Sequence, residues 1–259
     1  MRHQRLIALT AVTVALALTS GCVELTSDNV PDWAKPTEVT QQEQPAEETP
    51  EQTSPWKLPG ERSGHHNKQV LMLGRSVMRG WFDYWEWDGE DPVLDRDYAF
   101  YYAELASPPD IGKSAAGYIA QVPDGTVVFF KLCFVDFEAN SSADVSARLK
   151  ENVGYARQVV KATKGRDITL VLGNALPRVT GETTRELVDL HKKYNAELDK
   201  LAEGNKNVHV FDLYGTLVSQ GGALPKGLAV SPEDSHLNGV GYAVLDEEFF
   251  PFLGKLTKE

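Results

Sequence analysis

The sequence predicts a three-layer α/β/α sandwich with a central parallel sheet, occupying residues 67–259. Two observations predict it. Near-continuous apolar runs recur along this stretch, and segments with helical apolar spacing separate them. Strands that are apolar on both faces need helices above and below, which is the arrangement of a covered parallel sheet. No internal repeat points to a solenoid or propeller instead.

The elements follow in order. "KQVLML" (68–73) reads as a first buried strand, and "GTVVFFKLCFV" (125–135) as a second. "DITLVLGNAL" (167–176) and "NVHVFDLYGTLV" (207–218) read as the third and fourth. Between them, Val145, Leu149, Val153, Ala156 and Val160 mark one helix face. Leu187, Leu190, Tyr194, Leu198 and Leu201 mark another, closed by Gly204. A final helix carries Tyr242, Leu245, Phe249 and Phe252 on one side. The segment 81–110 is both aromatic and acidic, and reads as a helix followed by a long loop or a short strand pair. Trp81, Tyr84 and Trp85 share helical spacing, which favours a core role over a platform for sugar rings.

Ahead of this domain, residues 1–21 read as a signal peptide: a basic start, "MRHQR", then an apolar run ending at small residues. The sequence "LTSGC" resembles a bacterial lipobox, which makes Cys22 the expected lipidation site and the lipid a membrane anchor. The run itself is short for a membrane span. Residues 22–66 read as a disordered tether rich in Pro, Glu, Gln and Thr, because so few aliphatic side chains cannot offset the entropy of ordering. His65 and His66 read as solvated tether residues. The expected location is the cell envelope, outer membrane in a Gram-negative cell.

Composition narrows the function. The chain of 259 residues carries a formal net charge of −11 and no Lys/Arg cluster, which argues against nucleic acid as a partner. No His/Cys/Asp cluster has metal-ligand spacing and no glycine-rich phosphate loop is present, so neither a metal nor another cofactor is expected. With Cys22 lipidated, Cys133 is the remaining cysteine; it lies within a buried-looking run and reads as a core thiol.

Ligands of parallel α/β sheets gather at the carboxyl ends of the strands. That rule selects Gly74-Arg75-Ser76, Asp136, Asn174 and the segment "SPEDSHLNGVGYAVL". A serine becomes a nucleophile when a histidine takes its proton and a carboxylate orients that histidine. Ser76 and His236 stand at opposite ends of the domain and can meet above the sheet, with Glu233 or Asp234 as the acid. The plainer alternatives are Ser76 as an N-cap, His236 as a surface residue at a helix start, and Arg75 paired with Asp83 or Glu86.

"LGRSVMRGW" together with "EDSHLNGVGY" resembles the SGNH (GDSL-type) hydrolase superfamily over nearly the whole domain. The resemblance implies a flavodoxin-like sandwich and a serine esterase with no cofactor. It makes Ser76 the nucleophile, His236 the base, and Gly117 of "KSAAGY" a backbone donor to the oxyanion. Three departures stand out. Arg75 replaces the aspartate of the first block. The third block, "KLCFVDF", lacks its asparagine, leaving Cys133, Asp136 or Asn174 nearby. Glu233 is three residues before His236, and Asp234 only two. Two functions remain open: an envelope-anchored esterase acting on an ester such as an O-acylated glycan, or a non-catalytic lipoprotein of the same fold that binds a glycan or protein partner.

Overall fold

The structure is a computed structural model that describes residues 56–60, 68–219 and 221–257. The signal peptide, Cys22, the tether up to residue 55 and the His65–His66 pair lie outside the described residues.

The central sheet has six strands: β1 (Lys68–Gly74), β2 (Val93–Asp95), β3 (Tyr98–Glu104), β4 (Val127–Lys131), β5 (Thr169–Gly173) and β6 (Val208–Phe211). Their order is β2-β3-β1-β4-β5-β6, parallel throughout except for β2. β2 and β3 are the strand pair left open by the sequence of 81–110, and β3 joins the sheet interior beside β1. The two last apolar runs are shorter strands than expected. Residues after Phe211 turn into the helix α5 (Leu213–Leu217), because Asp212 accepts from the Gly215 N–H and caps it.

Helices cover both faces. α1 (Ser76–Tyr84) and α6 (Gly239–Leu256) enclose one core, in which Trp81, Phe100, Phe129 and Phe249 are buried. α2 (Ile111–Gln121), α3 (Ser142–Ala162) and α4 (Arg185–Glu203) enclose the other, around Leu71, Val128, Phe130 and Leu172. The in–out alternation of each strand sends its side chains to both cores, and this is why the runs are continuously apolar. Ser141 and Thr184 cap α3 and α4 through their hydroxyls. A two-stranded hairpin, β7 (Ala229–Ser231) and β8 (Asp234–Leu237), precedes α6.

The domain begins earlier than the expected residue 67. The Trp56 ring meets Tyr102 edge-on at 5.0 Å, and the Gly60 carbonyl accepts from Gln69 Nε2 at 2.9 Å. Trp81 is buried, and its indole and that of Trp85 both donate to Asp246 of α6, at 2.7 and 2.9 Å. This aromatic segment builds core, and burial raises the Asp246 carboxyl above its ordinary range.

Candidate active site

The site forms at the carboxyl end of β1. Gly74 ends the strand with its backbone against α1: a Cβ there would stand 2.7 Å from Met78 Cβ, so only glycine permits so abrupt a strand-to-helix turn. Arg75 occupies the N-cap position and makes no side-chain capping bond, and Ser76 is the first helical residue. The Ser76 hydroxyl is therefore not consumed as a cap. It meets His236 Nε2 at 2.9 Å.

His236 is held by the hairpin. Asn238 accepts from the N–H groups of Val240 and Gly241, starting α6, while its amide donates to the carbonyls of Gly227 and Ala229. Alternation along β8 puts Asp234 and His236 on one face, Ser235 and Leu237 on the other. His236 Nδ1 consequently lies 2.6 Å from Asp234 Oδ1. The carboxylate accepts only, so Nδ1 carries the proton and Nε2 is free to accept from Ser76. The His236 backbone N–H, and then its ring, hold the Asp234 carboxyl below the usual carboxylate range. Glu233 is exposed at the hairpin turn and bonds to Ser231 instead. Of the two acids considered, Asp234 is the one on the imidazole.

On its buried face Ser235 accepts from the Val179 N–H at 3.1 Å and donates to Glu182 at 2.5 Å. Glu182 also pairs with Arg178, whose guanidinium lies 5.4 Å from the centre of the Phe134 ring. Phe134 in turn stands edge-on to the His236 ring at 5.0 Å. No pattern in the sequence singles out Ser235, Glu182, Arg178 or Phe134 for the site individually. Only the strand period carries a signal for Ser235, because a residue between two site residues on one strand must face the core.

The remaining candidates require correction. Gly117 lies midway along α2, exposed, on the sheet face opposite α1, and its N–H belongs to the helical ladder. Asn174 turns away from the site: its amide donates to Asp212 and accepts from the Tyr214 N–H, both at 2.7 Å, locking β5 to the start of α5. Arg75 pairs with neither Asp83 nor Glu86. Its guanidinium bonds Asp136 Oδ1, with side chains 15% and 2% exposed. Asp136 Oδ2 accepts from the Cys133 N–H at 2.8 Å, so both oxygens of this carboxylate are engaged in supporting the turn. Cys133 lies just past β4, with Sγ 3.8 Å from Ser76 Oγ. Among the described residues, no group of three or more His, Cys, Asp or Glu side chains is placed to hold a metal ion.

No family model matches the chain, and no curated protein matches its sequence. Solved structures do. A Bacteroides fragilis protein classed as an acylhydrolase aligns at TM-score 0.53 and 16% identity, over 77% of this chain and 90% of that one. The chain shares the fold of that protein, a mostly parallel sheet between two helical layers. A Streptococcus pneumoniae protein classed as a platelet activating factor aligns at TM-score 0.52 and 14% identity, over 74% and 86% of the two chains. The N-terminal part of another B. fragilis protein, containing a phosphatase domain and complexed with Mg, aligns at TM-score 0.52 and 12% identity, over 78% and 53%. At these identities the likeness establishes the fold, and the reaction has to be argued from the side chains.

Proposed function

We propose that the protein is a lipid-anchored serine esterase of the bacterial envelope. The observation that carries this is the continuous relay from Asp234 through His236 to Ser76. Ser76 Oγ attacks the ester carbonyl while His236 Nε2 takes its proton, and Asp234 stabilises the imidazolium. The imidazolium then protonates the leaving alcohol, and water attacks the acyl-enzyme by the same relay in reverse. The Ser76 N–H, at the open end of α1, faces the developing negative charge. The loop after β3 flanks this turn, since the Leu105 N–H bonds the Gly74 carbonyl at 3.0 Å.

An O-acylated glycan is the proposed substrate class. Its support is a polar pocket of about 250 Å³ lined by Glu138, Asn140, Arg178, Glu182 and Thr184, which the Phe134 ring separates from His236. Such a lining suits a polyhydroxylated alcohol better than a lipid. The envelope location rests on Cys22 and the apolar run before it.

The test is a fluorophosphonate probe on the full chain in detergent, with the adduct mapped by mass spectrometry. The expected adduct is on Ser76, absent in Ser76→Ala and lost in His236→Ala. A folded, unlabelled parent would overturn the esterase reading. It would leave the non-catalytic binding lipoprotein, which the displacement of Gly117 and Asn174 from the site favours.

A further inference from the structure

Acyl transfer through a serine drives negative charge onto the former carbonyl oxygen, and donors aimed at that oxygen carry a large share of the rate. The backbone offers the Ser76 N–H. The side chains that look suitable by type are engaged elsewhere: Asn174 at both ends of its amide, Asp136 at both oxygens.

The side chain that does stand at the nucleophile is Cys133. Its Sγ is 3.8 Å from Ser76 Oγ, and the residue is 4% exposed. The bond from its N–H to Asp136 fixes the backbone there, and Asp136 is itself clamped by Arg75. An oxyanion one carbon away from Ser76 Oγ falls within reach of the thiol proton.

A second group points to the same place. Lys131, at the end of β4, is 1% exposed, and its Nζ makes no hydrogen bond. Its side chain shares the sheet face of Val127 and Phe129, the face that α1 covers. The groups that act electrostatically on it are Cys133, Asp136 and Arg75, and burial lowers its affinity for a proton. A buried amine without an acceptor is unfavourable. Lys131 ends β4 two residues before Cys133.

We infer that Cys133 is a catalytic residue, its S–H donating to the oxyanion at Ser76 with the Lys131 amine behind it. This rests on the esterase reading above. In the step, a bond forms between Ser76 Oγ and the acyl carbon, the carbonyl π pair moves to oxygen, and the Ser76 proton passes to His236. Cys133 keeps its proton and forms no bond to carbon. It has no base of its own at hydrogen-bond distance, since His236 reaches Ser76 and Lys131 makes no bond to the thiol.

The test is p-nitrophenyl acetate hydrolysis by the full chain in detergent, with kcat and KM measured separately and folding checked by thermal unfolding. Cys133→Ala is expected to lower kcat by about 10- to 100-fold with little change in KM, less than loss of a stronger amide donor. Cys133→Asn, which brings a carboxamide donor, is expected to recover most of that loss. An unchanged kcat in Cys133→Ala, or equal loss in Ala and Asn, overturns the inference; continued labelling of Ser76 in those variants would leave the esterase reading standing. A parent that neither hydrolyses nor is labelled overturns both.

Discussion

The two sides of the nucleophile are built in different ways. On the His236 side, a short hairpin presents Asp234 and His236 on one face and reaches Ser76 at 2.9 Å. On the other, an arginine stands where the resemblance calls for an aspartate, and a carboxylate from the segment after β4 pairs with it. An ion pair between two segments therefore holds the turn. The relay depends on atoms at bonding distance and admits few alternatives. The support of a turn needs only a stable, satisfied arrangement, which several residue sets can supply.

The sharpest break in that comparison is Asp234→Asn. It is expected to reduce kcat about 100- to 10,000-fold, because the imidazole loses its tautomer and its counter-charge. The Asp234 side chain is 43% exposed, so the variant should remain folded. Glu233→Gln is expected to change kcat less than about two-fold, since general acid–base catalysis requires contact that Glu233 does not make. Equal effects of the two substitutions would remove the distinction between the acids.

The next largest effect falls on stability. Asp136→Asn leaves the mostly buried Arg75 guanidinium without its counter-charge, expected to cost about 3–5 kcal/mol. Adding Arg75→Met should recover part of the loss, because an apolar side chain needs no partner there. Chemical denaturation of the single and double variants measures the coupling. A cost near that of a surface pair, below about 1 kcal/mol, would mean that solvent already satisfies the arginine.

How much of this was legible follows from what each feature is made of. β1, β4 and β5 announce themselves as runs of Val, Leu and Phe. β3, "YAFYYAE", did not, because tyrosines and a flanking acidic stretch dilute the apolar signal although Tyr98, Phe100 and Tyr102 are buried. Ser76 and His236 were readable from strand ends and from the chemistry of a serine nucleophile. The choice of Asp234 was not, since it depends on β8 being a strand with period two. Gly117 was misplaced because short-motif spacing carried no information on where α2 begins. Arg75–Asp136 joins residues 61 apart, and no local pattern predicts such a pair.

Beneath the site, two polar groups of α4 extend the comparison into the core. His191 and Tyr194 are buried against Phe137 without hydrogen-bond partners. Burial, helped by the Arg178 charge, pushes the His191 imidazole down to about 3. The unfolded chain binds a proton there near pH 6.5 and the folded chain does not, so stability falls as pH drops from about 6.5 toward 3. The slope from this one group is about 1.4 kcal/mol per pH unit. His191→Phe should flatten the acid limb of the stability curve, measured by denaturant titration between pH 7 and 4. An unchanged slope would mean the imidazole is protonated in the folded protein.

The smallest expected effect separates stability from activity at Lys131. Lys131→Met keeps the length of the side chain and removes a buried amine that makes no hydrogen bond. It should stabilise the protein by about 1–2 kcal/mol, the scale on which a buried polar group without a partner is penalised. Because burial lowers the lysine's proton affinity, the unfolded chain takes up this proton at a higher pH than the folded one, and the parent's stability rises as pH approaches the ordinary lysine range, about 10.4. The gain from Lys131→Met should therefore shrink as pH rises toward that range. If the amine backs the Cys133 thiol, the same variant hydrolyses p-nitrophenyl acetate more slowly while melting at a higher temperature. A Lys131→Met protein that is both less stable and equally active would mean the amine is satisfied within the core, and that the wall behind Ser76 consists of Cys133 alone.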